Sequence, residues 1–272
     1  MYLGIDIGGT KTLLACLTNE GIIKDKIRFE TPKDYRLFIN SLADEVVKLS
    51  TKEFIACGVG VPGLLEREKG IGITMGNLPW KNVPIKNDVK KIVGCPVVID
   101  NDANLAGLSE AMLVKDKYDK VLYVTISTGI GTGIIIEQTI DPAFADSEGG
   151  QILLEHDGKL QPWEDFASGR AIVSRWGKQA REIHDQDTWR KISNNLAIGL
   201  TDLMAVIQPQ VIILGGSVSR YLERFKDPLE QMLKRYSNPL VPIPPIIEAK
   251  RPDDAVLYGC YDLAKSLYGK TD

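Results

Sequence analysis

Histidine and cysteine are scarce in this chain of 272 residues, which has two histidines and four cysteines. The cysteines are isolated from one another, and they are Cys16, Cys57, Cys95 and Cys260. Their spacing argues against a disulfide framework and against a zinc site built from clustered cysteines. Reduced thiols of this kind are typical of the cytoplasm, where we expect the protein to be.

The chain also lacks a strong excess of one charge and a long apolar run. The chain has 33 Lys and Arg against 36 Asp and Glu, and no basic run is dense enough to indicate nucleic-acid binding. Its first apolar stretch is interrupted by Asp6, so neither a signal peptide nor a membrane span is predicted there. The hydrophobic fraction of 44% is typical of a globular protein with a substantial core.

Apolar periodicity predicts a mixed α/β fold. Strands are expected over 2–7, 12–18, 21–29, 54–61, 97–100, 121–126, 134–136 and 211–214. Helices are expected over 34–49, 86–93, 103–113, 189–207, 219–236 and 254–268. A loop rich in glycine and proline is expected around residues 76–80, and an irregular stretch from 140 to 163.

The unit of strand, glycine turn and strand at the N-terminus recurs about 120 residues later, which is a weak internal repeat. Two related α/β domains are therefore predicted, over residues 1–117 and 118–272. For the last helix, packing on the N-terminal domain is an alternative to packing within the second domain. The first domain would hold one phosphate loop and a catalytic aspartate, and the second would hold another phosphate loop.

The first glycine turn lies in the segment Asp6-Ile7-Gly8-Gly9-Thr10-Lys11-Thr12. Glycine backbone lets successive N–H groups converge on an anion, and the hydroxyls of Thr10 and Thr12 add donors. Asp6 is a candidate ligand of Mg²⁺, directly or through water, and Lys11 would offset phosphate charge. The alternative interpretation is a tight hairpin that binds nothing.

A second such turn is the segment Thr128-Gly129-Ile130-Gly131-Thr132-Gly133, for which a plain hairpin is again the alternative. Two glycine turns at corresponding places in a repeat favour a shared role as phosphate clamps. Strand 211–214 also runs into Gly215-Gly216 and a helix, a turn that nucleotides approach closely. Two phosphate loops with an acid between them suggest phosphoryl transfer across an interdomain cleft.

The candidate acid is Asp102, in the segment Asp100-Asn101-Asp102-Ala103-Asn104. It follows a strand and begins a helix, where ligands of open α/β sheets bind. An aspartate at this position also caps free N–H groups, which is the structural alternative. As a catalyst it would be a weak base, and a loose phosphoryl-transfer transition state tolerates a weak base because orientation matters more than full deprotonation.

Other polar residues are candidates for binding a polyhydroxylated substrate. Glu148 and Glu164 lie near glycines or tryptophan and would accept hydrogen bonds from vicinal hydroxyls, although solvated loop glutamates are the alternative. Asn77 and Asn101 are either turn residues or hydroxyl ligands. His156 and His184 are expected to titrate in solvent.

Several segments together resemble the ROK family of bacterial sugar kinases and related repressors, over nearly the whole chain. The segments are residues 4–12, 57–63, 77–85, 100–110, 125–133, 148–151, 164–170 and 211–216. The resemblance implies a two-domain actin-like ATPase, or ribonuclease H-like, fold with an interdomain active-site cleft. It also implies a homodimer that uses ATP and Mg²⁺ to phosphorylate a hexose hydroxyl, usually at C6.

Carried over by position, the resemblance assigns Asp102 as the base. It makes Asn101, Glu148 and Glu164 sugar ligands, places Gly63 and Asn77 near the sugar, and places Gly215 and Gly216 beside the adenosine. The resemblance also assigns binding of the nucleotide phosphates to the two glycine turns. The residues concerned are Asp6, Gly8, Gly9, Thr10, Lys11, Thr12, Thr128, Gly129 and Gly131.

The chain departs from the family pattern in two places. Glu148-Gly149-Gly150-Gln151 replaces the usual Glu-x-Gly-His, and Gln151 keeps a donor and an acceptor for a sugar hydroxyl. The cysteine-rich zinc loop is replaced by His156-Asp157-Gly158-Lys159-Leu160-Gln161-Pro162-Trp163, so no zinc is expected.

The leading hypothesis is an ATP-dependent hexokinase, with glucose as the first candidate substrate. Polyphosphate as the donor, and N-acetylmannosamine or fructose as the acceptor, are alternatives of the same class. A sugar-responsive repressor is disfavoured because the first predicted strand begins at Tyr2, without a preceding helix-turn-helix. A non-catalytic sugar-sensing regulator is the remaining alternative.

Overall fold

The computed structural model describes residues 1–236 and 238–269. The strands are β1 (Tyr2–Ile7), β2 (Lys11–Leu17), β3 (Ile23–Glu30), β4 (Cys57–Val61), β5 (Leu64–Glu66), β6 (Ile71–Met75), β7 (Leu78–Val83), β8 (Val97–Asn101), β9 (Lys120–Ile126), β10 (Ile130–Ile136), β11 (Thr139–Ile140), β12 (Leu153–His156), β13 (Lys159–Pro162), β14 (Val211–Gly215) and β15 (Ile246–Glu248). The helices are α1 (Tyr35–Lys48), α2 (Ile85–Val93), α3 (Asp102–Met112), α4 (Trp163–Ala167), α5 (Gly169–Trp176), α6 (Gln186–Ile207), α7 (Gly216–Ser219), α8 (Leu222–Tyr236) and α9 (Ala255–Tyr268). Single 3₁₀ turns occupy Gly149–Gln151 and Ala180–Glu182.

The chain forms two compact units. The first consists of Met1–Ser109 and Asp254–Asp272, and the second of Glu110–Asp253. Residues 237 and 270–272 lie outside the described part of the chain. The sequence pattern predicted a boundary between residues 117 and 118, whereas compact packing divides the chain after Ser109 and again after Asp253.

The first unit is built on a five-stranded sheet with the order β3-β2-β1-β4-β8. Strands β1, β2 and β3 form an antiparallel meander, and β1, β4 and β8 are parallel. All five residues of β4 are buried, as expected for a central parallel strand covered on both faces. This arrangement brings the ends of β1 and β8, which carry Asp6 and Asn101, to the same edge of the sheet.

Helices α1 and α9 contribute to the core of the first unit. Phe38, Leu42 and Val46 form the buried face of α1, with the spacing predicted from the sequence. Helix α9 lies so close to the sheet and to α3 that a Cβ atom on Gly259 would approach the carbonyl oxygen of Leu105 to 1.9 Å. The C-terminal helix is therefore an integral part of the first unit.

The second unit repeats the strand order of the first, as β11-β10-β9-β14-β15. Here too an antiparallel pair, β9 and β10, is followed by parallel neighbours, β9 with β14 and β14 with β15. The weak internal repeat in the sequence thus corresponds to a repeated sheet topology. Helix α6 buries a stripe along this unit that includes Trp189, Leu196 and Leu203.

Two segments that were expected to be irregular form antiparallel structure. The loop expected around 76–80 is partly a strand, since β7 pairs with β6 and Trp80 is buried against Phe38. The stretch 140–163 contains β11 and the hairpin β12–β13, whose turn residues Asp157 and Gly158 have φ values of 53° and 75°. Asp-Gly is a strong hairpin signal, and it was the sequence feature that could have predicted this turn.

Two other predicted elements have different bounds. The strand predicted over 54–61 begins at Cys57. The helix predicted over 219–236 is α7 followed by α8, and Tyr221 at the break packs against Trp189 and beneath the Arg224 guanidinium. These tertiary contacts outweigh the local helical pattern. Across residues 1–236 and 238–269, no helix has the length and apolar character needed to cross a membrane.

Candidate functional site

The first glycine turn joins β1 to β2 and packs against the turn between β6 and β7. The amide of Gly8 donates to the carbonyl of Lys11 at 3.0 Å, and a Cβ atom on Gly9 would lie 3.0 Å from the Cβ of Asn77. The ammonium of Lys33 donates to the carbonyl oxygens of Gly9 and Asn77, at 2.7 and 3.3 Å. Sequence reasoning missed Lys33, because no pattern around it indicates this long-range contact.

The threonines of this turn differ in accessibility. Thr10 and Lys11 are exposed, so both are accessible to a ligand. Thr12 is fully buried, and its hydroxyl is hydrogen bonded to that of Thr31 at 2.9 Å. The expectation that the Thr12 hydroxyl is a free phosphate donor is therefore not met, because β2 directs this side chain into the core.

Asp6, at the end of β1, lies in a negative environment. Removal from water, and then the negative charge of Asp102, raise the pKa of Asp6 from 3.8 to about 7. Lys26 opposes this effect, but its ammonium forms an ion pair with Asp254. The two acids that the sequence predicted as metal ligand and base, Asp6 and Asp102, are thus neighbours in the first unit.

The turn from β8 into α3 is held by the buried carboxylate of Asp100. Its oxygens accept from the Arg67 guanidinium in two hydrogen bonds of 3.1 Å each, from the amide of Asn101 at 2.7 Å, and from the side chain of Asn104 at 2.9 Å. Arg67, in the turn between β5 and β6, was not identified from the sequence. Bidentate pairing of this kind restricts the orientation of both side chains as well as strengthening their interaction.

Asn101 and Asp102 both cap the first turn of α3. The side-chain oxygen of each accepts from the amide of Ala103 at 2.8 Å. Asp102 therefore has the capping role that was the structural alternative. The side-chain amide of Asn101 also donates to the carbonyl of Gly63 at 3.3 Å.

Gly63 is required by its local geometry. Its φ of 97° lies in the left-handed region, and a Cβ atom there would lie 2.2 Å from the carbonyl oxygen of Thr74. The first unit thus brings Gly63, Asn101 and Asp102 together, and places Asp6 beside Asp102.

The second glycine turn connects β9 to β10 and contacts Glu164 of helix α4. The amide of Ile130 donates to Oε2 of Glu164 at 3.1 Å, and a Cβ atom on Gly129 would lie 2.4 Å from the same oxygen. The carbonyl of Ser127 accepts from the amide of Gly169, the first residue of α5, at 2.7 Å. Thr128 at the tip of the turn is exposed.

The segment that carries Glu148 lies against β10 in the same unit. The amide of Gly149 donates to the hydroxyl of Thr132 at 3.0 Å, and Gly150 is so close to β10 that a Cβ atom would meet the carbonyl oxygen of Ile130 at 2.1 Å. Partial burial, and then the charge of Glu164, raise the pKa of Glu148. Glu148 and Glu164 are therefore neighbours.

Gln151 lies on the 3₁₀ turn that follows Glu148 and is exposed. The second unit thus places Glu148, Glu164 and Gln151 around the start of β10, together with Gly129 and Gly131.

Gly215 and Gly216 end β14 and begin α7. Gly216 has a φ of 85°, and a Cβ atom on Gly215 would lie 2.1 Å from the hydroxyl of Tyr123, so neither position accommodates a larger side chain without rearrangement. A cavity of about 490 Å³ opens beside them. Its lining includes Ser127, Gln179, Arg181, Gly216, Arg220 and Tyr221.

His156 is the clearest correction to the sequence-based expectations. Its side chain is only 11% exposed and its ring is stacked on Phe166, with ring centroids 4.2 Å apart. The expectation that this side chain lies in solvent is therefore wrong, because the β12–β13 hairpin folds it against α4. His184 is exposed, as predicted.

Oxygen ligands are the metal-binding groups that these sites offer. Within the described ranges 1–236 and 238–269, no cluster of three or more His, Cys, Asp or Glu side chains is arranged to hold a metal ion. Mg²⁺ in phosphoryl-transfer sites is usually bound by only one or two carboxylates together with substrate phosphates and water. The carboxylate of Asp6, at the end of β1, fits that requirement.

Comparison with known proteins identifies similar sequences along nearly the whole chain. A model of the ROK family matches residues 2–267. The chain is 28% identical over 310 aligned residues to a glucokinase of Streptomyces coelicolor, covering 97% of this chain and 98% of the relative. It is 31% identical over 248 residues to a putative fructokinase of Bacillus subtilis, covering 83% and 80% of the two chains.

A similar solved structure is that of a ROK family glucokinase from Streptomyces griseus in complex with glucose and AMPPNP. The two superpose with a TM-score of 0.83 at 27% sequence identity, and the match covers 97% of this chain and 99% of that one.

Proposed function

The chain belongs to the ROK family, has its actin-like ATPase fold and is a sugar kinase, and we propose that it transfers the γ-phosphoryl group of ATP to the C6 hydroxyl of glucose. The observation that carries the proposal is the position of Asp102. Its carboxylate begins α3 next to Asn101, which is hydrogen bonded to Gly63, and it lies near Asp6.

In the proposed reaction the sugar hydroxyl oxygen attacks the γ-phosphorus, and the bond from that phosphorus to the bridging oxygen of ADP breaks. Asp102 accepts the hydroxyl proton and orients the oxygen for in-line attack. Because the transition state is loose, a carboxylate that is a weak base serves this role.

We propose that carboxylate oxygens and side-chain amides bind the hydroxyl groups of the sugar. Glu164 uses Oε2 to accept from Ile130, which leaves Oε1 for a sugar hydroxyl and for the Arg170 guanidinium 3.5 Å away. Glu148, Asn101 and Gln151 supply further hydrogen-bonding groups. Gly63 and Asn77 would border the sugar, since both lie in turns linked to this set by hydrogen bonds or close packing.

The phosphates are proposed to bind to the two glycine turns. In the first unit, Gly8, Gly9, Thr10 and Lys11 would supply amides, a hydroxyl and a positive charge. The buried Thr12 hydroxyl is left out of this set, because it is paired with Thr31.

In the second unit, Thr128, Gly129 and Gly131 would bind the remaining phosphate oxygens, and the cavity beside Gly215 and Gly216 would hold the adenosine. Mg²⁺ bound with ATP would be held by Asp6, directly or through water, and would neutralise phosphate charge.

The location and assembly of the protein are further parts of the proposal. The cysteines are free and buried in the core, which suits a reducing compartment such as the cytoplasm. A homodimer, the absence of structural zinc and the absence of nucleic-acid partners stay predictions from the sequence.

The proposal is tested by incubating the purified protein with a panel of hexoses and N-acetylhexosamines, with either ATP or polyphosphate, and detecting sugar phosphate directly. We expect glucose 6-phosphate with ATP. Formation of product only from polyphosphate, or only from fructose or N-acetylmannosamine, would identify the alternative donor or acceptor. Absence of product with every pair would leave a non-catalytic sugar-binding role.

The role of Asp102 is tested by the isosteric variant Asp102→Asn. We expect turnover to fall by about two to four orders of magnitude, because the proton acceptor is lost. The amide oxygen still caps Ala103, so the thermal midpoint should not fall. ATP affinity measured by calorimetry should also be retained, and near-normal turnover would remove Asp102 from the mechanism.

A further inference from the structure

His156 is the starting point, because it is a mostly buried polar ring that the proposed reaction does not use. It ends β12, and the hairpin places its ring flat on Phe166 of α4, with 9° between the ring planes. Gln161 on β13 donates its side-chain amide to the carbonyl of His156 at 2.9 Å. The hairpin therefore holds the histidine from both strands.

Asn195 connects this ring to the backbone of α4. Its side-chain Nδ2 donates to the carbonyl of Phe166 at 2.9 Å, which directs Oδ1 towards Nε2 of His156, 3.2 Å away. Since Oδ1 is only an acceptor, the His156 proton that faces it must be on Nε2. The carbonyl of Asn195 also accepts from the indole N–H of Trp163 at 3.0 Å.

Helix α4 is only five residues long and is anchored through these neighbours. Trp163 is fully buried and packs so closely on α6 that a Cβ atom on Gly199 would lie 2.2 Å from its ring. Glu164 is the next residue, and its carboxylate accepts from the amide of Ile130. Direct contacts thus join His156 to Phe166 and Asn195, and Asn195 to Trp163 and Phe166, the α4 residues on either side of Glu164.

We propose that His156 is a positioning residue that acts through α4 to hold the Glu164 carboxylate against the second glycine turn. The inference rests on the proposed function in one respect, namely that Glu164 binds the sugar. The β12–β13 hairpin then uses a stacked ring and two hydrogen bonds to fix a short helix that has little stability of its own.

The test compares His156→Ala with His156→Phe, which keeps the stacked ring and loses the hydrogen bond to Asn195. His184→Ala is the matched control, because it removes the other histidine of the chain at an exposed position. For His156→Ala we expect KM for glucose to rise about tenfold, because a misplaced ligand weakens sugar binding, with KM for ATP unchanged. The Phe variant should lie between the wild type and the Ala variant.

A second measurement does not depend on catalysis. Hydrogen exchange of the Ile130 amide, followed by NMR, reports its hydrogen bond to Glu164 directly. We expect exchange to speed up in His156→Ala and to stay unchanged in His184→Ala, while the Val124 amide in the middle of β9 stays protected in both.

The outcomes separate the two proposals. Unchanged Ile130 exchange, or an equal rise in KM for glucose and ATP with general loss of protection, would overturn the positioning role of His156. If the wild-type protein phosphorylates no sugar but Ile130 exchange still responds to His156→Ala, the proposed function fails and the positioning role stands.

Discussion

At the scale of single residues, the site depends on acids that the fold keeps close together. Asp100 is 6% exposed and accepts hydrogen bonds from Arg67, Asn101 and Asn104, whereas Asp6 interacts with the charge of Asp102 and has a raised pKa. The first acid is stabilised by a cation, and the second is destabilised as long as no cation or proton reaches it. The partners of each carboxylate thus determine its role. Asp100 supports the structure, whereas Asp6 remains available for chemistry.

The Arg67–Asp100 pair gives a prediction for Arg67→Ala. We expect a loss of about 1–3 kcal/mol in the free energy of unfolding, because a mostly buried carboxylate loses its cation. Turnover should fall as well, since the turn that carries Asn101 and Asp102 is less constrained. Thermal unfolding and steady-state kinetics check both effects.

Lys69→Ala is the matched control, because it breaks the exposed Lys69–Glu66 pair near the same hairpin and should leave the thermal midpoint almost unchanged. The double variant Arg67→Ala with Asp100→Asn should recover part of the stability by removing the unpaired charge. Equal stability losses in Arg67→Ala and Lys69→Ala would contradict the assigned role of Arg67.

The raised pKa of Asp6 predicts how stability depends on pH in the ligand-free, metal-free protein. The pKa of Asp6 is about 7 in the folded state, whereas its ordinary value, taken for the unfolded state, is 3.8. Between those pH values the folded state therefore binds more protons than the unfolded state. The contribution of Asp6 to the free energy of unfolding is therefore fully present below pH 3.8 and is lost as the pH rises towards and through 7.

Asp6→Asn removes the titrating group, so it should raise the thermal midpoint above that of the wild type at pH 8 by several degrees, for a stability gain of up to about 4 kcal/mol. The gain should shrink towards pH 5, and phosphoryl transfer should be lost. Thermal scans in the presence of a chelator measure this difference, and a gain that is independent of pH would contradict the assignment.

At the scale of elements, short irregular segments carry most of the polar groups of the site, and long helices and central strands support them. The predicted strands and helices were mostly confirmed, because each has an apolar face whose period is visible locally. The hairpin β12–β13 and strand β7 were missed. Their stability comes from partners such as α4 and β6, which single-segment patterns do not reveal.

The contact between the second glycine turn and α4 predicts the effect of Gly129→Ala. The added methyl group would lie 2.4 Å from Oε2 of Glu164, so the carboxylate must move and its hydrogen bond to Ile130 must weaken. We expect kcat/KM for glucose to fall by about ten- to a hundredfold.

Gly158→Ala is a suitable comparison, because a Cβ atom there meets no atom within 4 Å and only the left-handed backbone is strained. It should lower stability by roughly 1 kcal/mol without a selective effect on the sugar. A similar kinetic response in both variants would show that Glu164 does not depend on the space at Gly129.

At the scale of the whole molecule, the chain leaves its first compact unit after Ser109 and returns to it at Asp254. Helix α9 then completes the core of that unit, with Leu257, Cys260 and Ala264 fully buried. Both the N-terminal and the C-terminal parts of the sequence are therefore needed to fold the unit that contains Asp6 and Asp102.

Gly259→Ala tests this closure, because its Cβ atom would lie 1.9 Å from the carbonyl oxygen of Leu105. Relief of that overlap requires α9 or α3 to shift, and we expect a loss of about 1–3 kcal/mol in stability. Ser266→Ala, at an exposed position of the same helix, should change stability by less than about 0.5 kcal/mol. Thermal or urea unfolding compares them, and an unchanged Gly259→Ala midpoint would contradict the tight packing.

The sequence by itself determined the α/β class, most helices and strands, the glycine turns and the family to which the chain belongs. These features depend on side-chain periodicity and backbone preferences that act over a few neighbouring residues. Only the tertiary structure decided that Lys33 and Arg67 join the site segments, that the Thr12 hydroxyl is paired with Thr31, and that His156 stacks on Phe166 of α4. Such contacts join residues far apart in the chain, so they depend on sheet register and packing rather than on local pattern.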